Sequence, residues 1–99
     1  MLRLWLDDVR PAPEGWIVFG IAWDMIDFLE TNEVDEISLD HDLGEPSNGT
    51  GYDVLCYIEE RVAQDEGYLP PRINIHTDNP PARFKMQKAA RSIKNMIHR

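Results

Sequence analysis

Apolar residues in this chain come in two patterns: short blocks of strand length, and stretches that repeat every three or four positions. "LRLWL", residues 2–6, predicts a buried strand, ended by Asp7 and Asp8 and then by "RPAPEGW", a loop with two prolines. "WIVFGI", 16–21, is β-branched and aromatic and predicts a second strand. From Trp23 to Thr31, Trp23, Ile26 and the Met25/Leu29 pair fall on neighbouring turns and predict a short helix. Residues 36–40 read as a third strand, and "GEPSNGTG", 44–51, as the clearest loop. A helix is predicted from Tyr52 to Gln64, with Val54, Leu55, Ile58 and Val62 in one stripe, until "GYLPP" breaks it. "RINIH", 72–76, is a fourth strand. "TDNPP" is a helix entry, with Asp78 or Asn79 as cap and proline in the first turn. The last helix spans Pro80 to Ile97, with Met86, Ala90, Ile93 and Ile97 inward and Lys85, Lys88, Arg91 and Lys94 outward.

The order β, β, α, β, α, β, α calls for parallel strands joined by crossovers, an α/β architecture. Right-handed crossovers with helices on both faces give a small open doubly wound sheet, expected in the order 2-1-3-4 with strand 1 central. No repeat, low-complexity tract or linker divides the chain, so residues 1–99 are expected to form one domain.

Charge changes the picture more than composition does. Over 99 residues the net charge is −8, but residues 1–68 hold 3 basic and 17 acidic side chains and residues 69–99 hold 7 basic and 1 acidic. Such a chain repels extended duplex DNA at long range, while its last third attracts a phosphate locally. The basic stripe of the last helix reads first as a solvated face; RNA bound there would reveal itself by steep salt dependence. No apolar run reaches bilayer length and no secretory pattern opens the chain, so no membrane partner is expected. Cys56 is the one cysteine, read as an inert, half-buried thiol, and a cytoplasmic setting is the simplest expectation.

The candidate chemistry lies where strands end. Open α/β sheets bind ligands outside the carboxyl ends of their strands, where strand order reverses. Strands 1 and 3 flank that point, and they end in Asp7–Asp8 and in Asp40, His41 and Asp42; His76 ends strand 4 on the same rim. Neighbouring strands lie about 4.8 Å apart, so these carboxylates converge. Together they repel unless one takes a proton or a cation intervenes, and an all-oxygen set suits Mg²⁺ or Mn²⁺ better than Zn²⁺. The plain alternative is that aspartates at strand ends only cap turns.

"LWLDDVRP" with "SLDHDLG" resembles the response-regulator receiver fold. It is closer still to the cyclic-phosphate processing receiver domain family, through "LDDVRP", "SLDHDLG" followed by "GYDVL", and "IHTDNP". That resemblance implies a receiver-like or flavodoxin-like fold and a metal-dependent activity on cyclic phosphates of nucleotides or RNA ends. The chain departs from ordinary receivers in two places. A fifth strand with its phosphoryl-contacting lysine is expected to be lacking, and "RPAPEGW" replaces the long first helix.

Each candidate carries two readings. Asp7, Asp8 and Asp40 are expected to ligate one Mg²⁺, with Asp42 or its neighbouring backbone as a further ligand by analogy with receivers; Asp40 is either ligand or nucleophile. His76 is the candidate general acid or base, or else a strand-end histidine bonded to the neighbouring loop. His41 is a weaker candidate because alternation turns it to the other face, and His98 is read as solvated. Arg10 forks onto a phosphate or neutralises the carboxylates. Thr77 donates to the phosphate or caps the last helix, and Asn79 reads substrate or caps it. "SNGTG" offers free N–H groups to an anion or is a plain loop, and it fits no P-loop spacing. Trp16 and Trp23 are read as packing residues.

The leading expectation is an Mg²⁺-dependent hydrolase that opens cyclic phosphate esters, acting on a phosphorylated small molecule or an RNA terminus. A minimal phosphoacceptor receiver, modified on Asp40 and signalling to a partner, is the alternative from another class. A small adaptor with an acidic rim is the third. A phosphatase of the haloacid-dehalogenase type would need a longer chain with a cap.

Overall fold

The computed structural model describes residues 1–97, and His98 lies outside the described residues. Its elements are β1 (Arg3–Leu6), β2 (Ile17–Phe19), α1 (Ala22–Thr31), β3 (Glu36–Leu39), α2 (Gly51–Gln64), β4 (Arg72–Ile75) and α3 (Pro80–Ile97), with one 3₁₀ turn at Pro46–Asn48. The four strands form one sheet in the order β2-β1-β3-β4, all pairs parallel. The fold is therefore the receiver-like α/β arrangement, its winding reversing between β1 and β3.

The second strand is shorter than "WIVFGI" suggests. It is an edge strand with Ile17 and Val18 exposed, so only Ile17–Phe19 find ladder partners on β1. Strand alternation sorts the rest. Leu4, Leu6, Ile37 and Leu39 are fully buried and meet Met25, Leu29, Val54, Leu55, Ile58, Met86 and Ile93 in one core. Burying a side chain of this size contributes about 1.5–3 kcal/mol, so this cluster dominates the favourable side of folding.

All three helices pack into that single core, α1 against α2 and α2 against α3. The expectation of helices on both faces is corrected here. By the general right-handed rule the β1–β2 connection crosses the opposite face, where residues 7–16, with two prolines and no apolar period, form a loop rather than a helix. Trp16 covers part of that face by meeting Trp5 edge-on, ring centroids 5.9 Å apart. Val18 is exposed on the same face at the sheet edge, and polar pairs occupy the rest: Arg3 pairs with Glu36, and the Asn74 amide donates to Glu36 Oε2 at 2.7 Å.

Two packing expectations also change, at Cys56 and along α3, while that for Trp23 stands. Cys56 points to solvent rather than lying half-buried. Ile97 is exposed and Ala90 only partly covered, while Ile93 between them is buried. Trp23 is a loop-packing residue: its indole is half-exposed, and its Nε1 donates to the Ser47 carbonyl.

Candidate functional site

Register brings the acidic residues together. Leu6 and Leu39 are partners across β1 and β3, so the residues just beyond them, Asp7 and Asp40, stand side by side. The Asp40 N–H donates to the Leu6 carbonyl at 2.9 Å and closes that edge. Carboxylate oxygens of Asp7, Asp8 and Asp40 all lie within 4.8 Å of one another. Asp7 is buried, Asp40 half-buried and Asp8 exposed, so the group opens outward from an anchored base.

Asp7 is the most constrained of the three. Its Oδ1 accepts the backbone N–H groups of Val9 and Arg10, both at 2.9 Å, and its Oδ2 accepts from His76 Nε2 at 3.0 Å. Burial pushes its carboxyl upward, but those hydrogen bonds outweigh burial and hold it below the ordinary aspartate range. Asp7 therefore stays ionised and has a lone pair to spare beyond three donors. Asp40 accepts only its neighbour's N–H, from His41 to Oδ1, and its other oxygen has no protein donor among the described residues.

The carboxylates border an open depression of about 490 Å³. Arg10, Thr77 and Asn79 border it too, so these three candidates are brought to the acidic group. Each is also engaged in the fold. Arg10 neutralises none of the clustered carboxylates; its guanidinium donates to the His76 carbonyl at 2.6 Å and to Asp78 Oδ2 at 2.7 Å. Thr77 accepts the Asn79 N–H at 3.2 Å, which leaves its hydroxyl proton to donate. Asn79, not Asp78, caps α3 by accepting the Ala82 N–H, and its amide donates to Asp42.

Asp42 borders the depression without joining the acidic group, and two candidates, His41 and His76, sit elsewhere. The Asp42 carboxylate is outside the group of three and turns to His41 Nδ1 at 2.9 Å, a bond that holds its carboxyl below the usual range. His41, paired in that way, does not border the depression. Nor does His76, and both of its ring nitrogens are spent, Nε2 on Asp7 and Nδ1 on Ser38 Oγ at 2.7 Å. The His76 ring therefore makes no direct contact with the depression and reaches it only through Asp7. The anion reading of "SNGTG" falls. Thr50 and Asp53 cap each other in a capping box, and Gly51 N–H goes to the His41 carbonyl.

Two residues of the site carried no expectation. Ser38 is the buried polar residue in the middle of "ISL", and a buried hydroxyl in a strand needs a partner; that was its signal. Trp5 stacks on His76 with ring centroids 4.0 Å apart and planes 10° from parallel. It lies at the opposite parity from Leu4 and Leu6, on the loop-covered face.

An all-oxygen group of this kind fits a hard divalent cation. Its carboxylates include two with unspent oxygens, and among the described residues no basic side chain is bonded to any of the three except the His76 imidazole. A family model described as the cyclic-phosphate processing Receiver domain matches residues 2–92. No curated protein and no solved structure matches.

Proposed function

The chain belongs to the cyclic-phosphate processing receiver domain family, and on that premise we propose that it is a metal-dependent hydrolase that opens cyclic phosphate esters. The observation that carries this reading is the convergence of Asp7, Asp8 and Asp40 within 4.8 Å beside a depression bordered by Arg10 and Thr77.

Asp7, Asp8 and Asp40 would hold Mg²⁺ or Mn²⁺. When bound, such an ion supplies a Lewis acid for a phosphoryl oxygen and an acidified water. Asp8 and Asp40 offer the free oxygens, and Asp7 anchors the group from below. Arg10 and the Thr77 hydroxyl supply donors for the remaining phosphoryl oxygens, and the Asn79 amide stands on the same border. The open depression, about 490 Å³, has room for a nucleotide or the end of a strand.

A second reading has one observation in its favour. The unbonded oxygen of Asp40 is free to be phosphorylated, as in a minimal receiver. Against it, no lysine among the described residues borders the depression.

A panel of 2′,3′-cyclic nucleotides, short oligonucleotides with cyclic ends, and linear esters, each with Mg²⁺ and with EDTA, tests both. Ring opening that needs the metal and is lost in Asp40→Asn supports the hydrolase. A stable mass gain on Asp40 from acetyl phosphate, without turnover of any ester, supports the switch and overturns the hydrolase.

A further inference from the structure

His76 is the titratable side chain nearest the carboxylates that the reaction above leaves idle. We propose that it is a positioning residue for the metal site, in a relay Ser38–His76–Asp7 clamped by Trp5; this rests on the metal-dependent reading of the same carboxylates. Asp7 accepts two backbone N–H groups through Oδ1, so the 3.0 Å contact at Oδ2 is made by a proton on His76 Nε2. Nδ1 on the far side of the ring meets the Ser38 hydroxyl 2.7 Å away, which is able to donate to it or accept from it. Asp7, which can only accept, therefore fixes the proton on Nε2, and Ser38 holds the opposite nitrogen.

The ring plane is set separately. Trp5 lies parallel beneath the imidazole at 4.0 Å, and is itself fixed by Nε1–H donating to the Arg10 carbonyl at 3.0 Å and by its edge contact with Trp16. Oδ1 of Asp7 is pinned by the turn and Oδ2 by the imidazole, so the carboxylate plane cannot swing about its own axis. A ligand whose lone pair is already aimed loses less freedom when a cation binds, and outer partners of this kind change metal affinity about 10–100-fold.

The residue types are those of an acyl-transfer triad, but the chemistry is excluded by access. Ser38 is 5% exposed, in the middle of β3, and does not border the depression, so its oxygen meets no substrate. The hydroxyl orients; it does not attack.

Calorimetric titration of the whole chain with Mn²⁺ tests the proposal without reference to turnover. His76→Phe keeps a ring on Trp5 but removes both hydrogen bonds, and is expected to weaken Mn²⁺ binding about 10–100-fold. His76→Gln, whose amide N–H reaches toward Asp7, is expected to recover most of that loss. In an Asp7→Asn background the His76→Phe change should cost no further affinity, because the two residues act as one unit. A folded His76→Phe protein that binds Mn²⁺ as tightly as the wild type overturns the proposal, as does an equal loss in both backgrounds. Should His76→Phe fail to fold, Ser38→Ala decides: a several-fold loss supports the relay, and unchanged affinity overturns it. Wild-type protein that binds no Mn²⁺ overturns the metal reading itself, and the relay with it.

Discussion

Gly51, the first residue of α2, is packed directly against the main-chain carbonyl of Asp40. A Cβ at Gly51 would collide with that carbonyl and stand 2.7 Å from Met86 Cε. The start of α2 and the end of β3 thus touch where only a hydrogen fits, and Asp40 is held by that contact as well as by its bond to Leu6.

Gly51→Ala is expected to destabilise the fold by about 1–3 kcal/mol or more, because the obstacle is backbone and cannot turn aside. Gly67→Ala serves as the control; its Cβ would meet Asp65 Oδ1 at an ordinary 3.5 Å, so a change within about 0.5 kcal/mol is expected. Urea melts of both variants measure the difference. Equal midpoints would remove the close contact from the account.

Removing a carboxylate from the group should separate stability from metal response. Without a metal, Asp7, Asp8 and Asp40 repel one another, so Asp8→Asn is expected to melt in EDTA at or above the wild-type temperature. Wild-type protein at Mg²⁺ a hundred times its Kd should gain about 2.7 kcal/mol, and Asp8→Asn should gain almost none. Thermal melts across an Mg²⁺ series read both effects. A variant that responds to Mg²⁺ as the wild type does would exclude Asp8 as a ligand.

Acid should undo the anchor first. The folded pKa of Asp7 lies below its unfolded value, with burial opposing and the bonds from Val9, Arg10 and His76 prevailing. Its contribution is therefore fully present above the unfolded value and disappears as pH falls through the folded one, a window below about pH 4. In EDTA the stability of the wild type should drop more steeply across that window than that of Asp7→Asn. Parallel curves would mean that Asp7 makes no net linkage contribution.

A phosphate bound by Arg10 would compete with Asp78 for the same guanidinium. Arg10 and Asp78 form an exposed pair at 2.7 Å, worth about 0.2–1 kcal/mol, so Asp78→Ala should barely move the melting temperature. It leaves one arm of Arg10 free, and KM for a cyclic nucleotide is expected to fall while kcat holds. A raised KM would assign Arg10 to bracing the turn after β4 instead.

Much of this was legible along the chain. The strand-ending carboxylates, the order 2-1-3-4 and the placement of Arg10, Thr77 and Asn79 on one rim follow from local pattern and from the topology of parallel sheets. The histidines were not legible in the same way. Whether His76 faces a ligand or a neighbour depends on a rotamer, and that rotamer is chosen by Trp5 and Ser38, residues distant in sequence. Asp42 stays out of the acidic group for a similar reason, because His41 and Asn79 supply it with donors.

Periodicity and residue type, then, determined which atoms arrive at the edge of the sheet, because strand and helix periods are properties of the local backbone. Three-dimensional packing alone decided which of those atoms stay free. Hydrogen-bonding capacity is finite, and a buried ring or carboxylate spends it on whatever partner the register of neighbouring strands sets beside it.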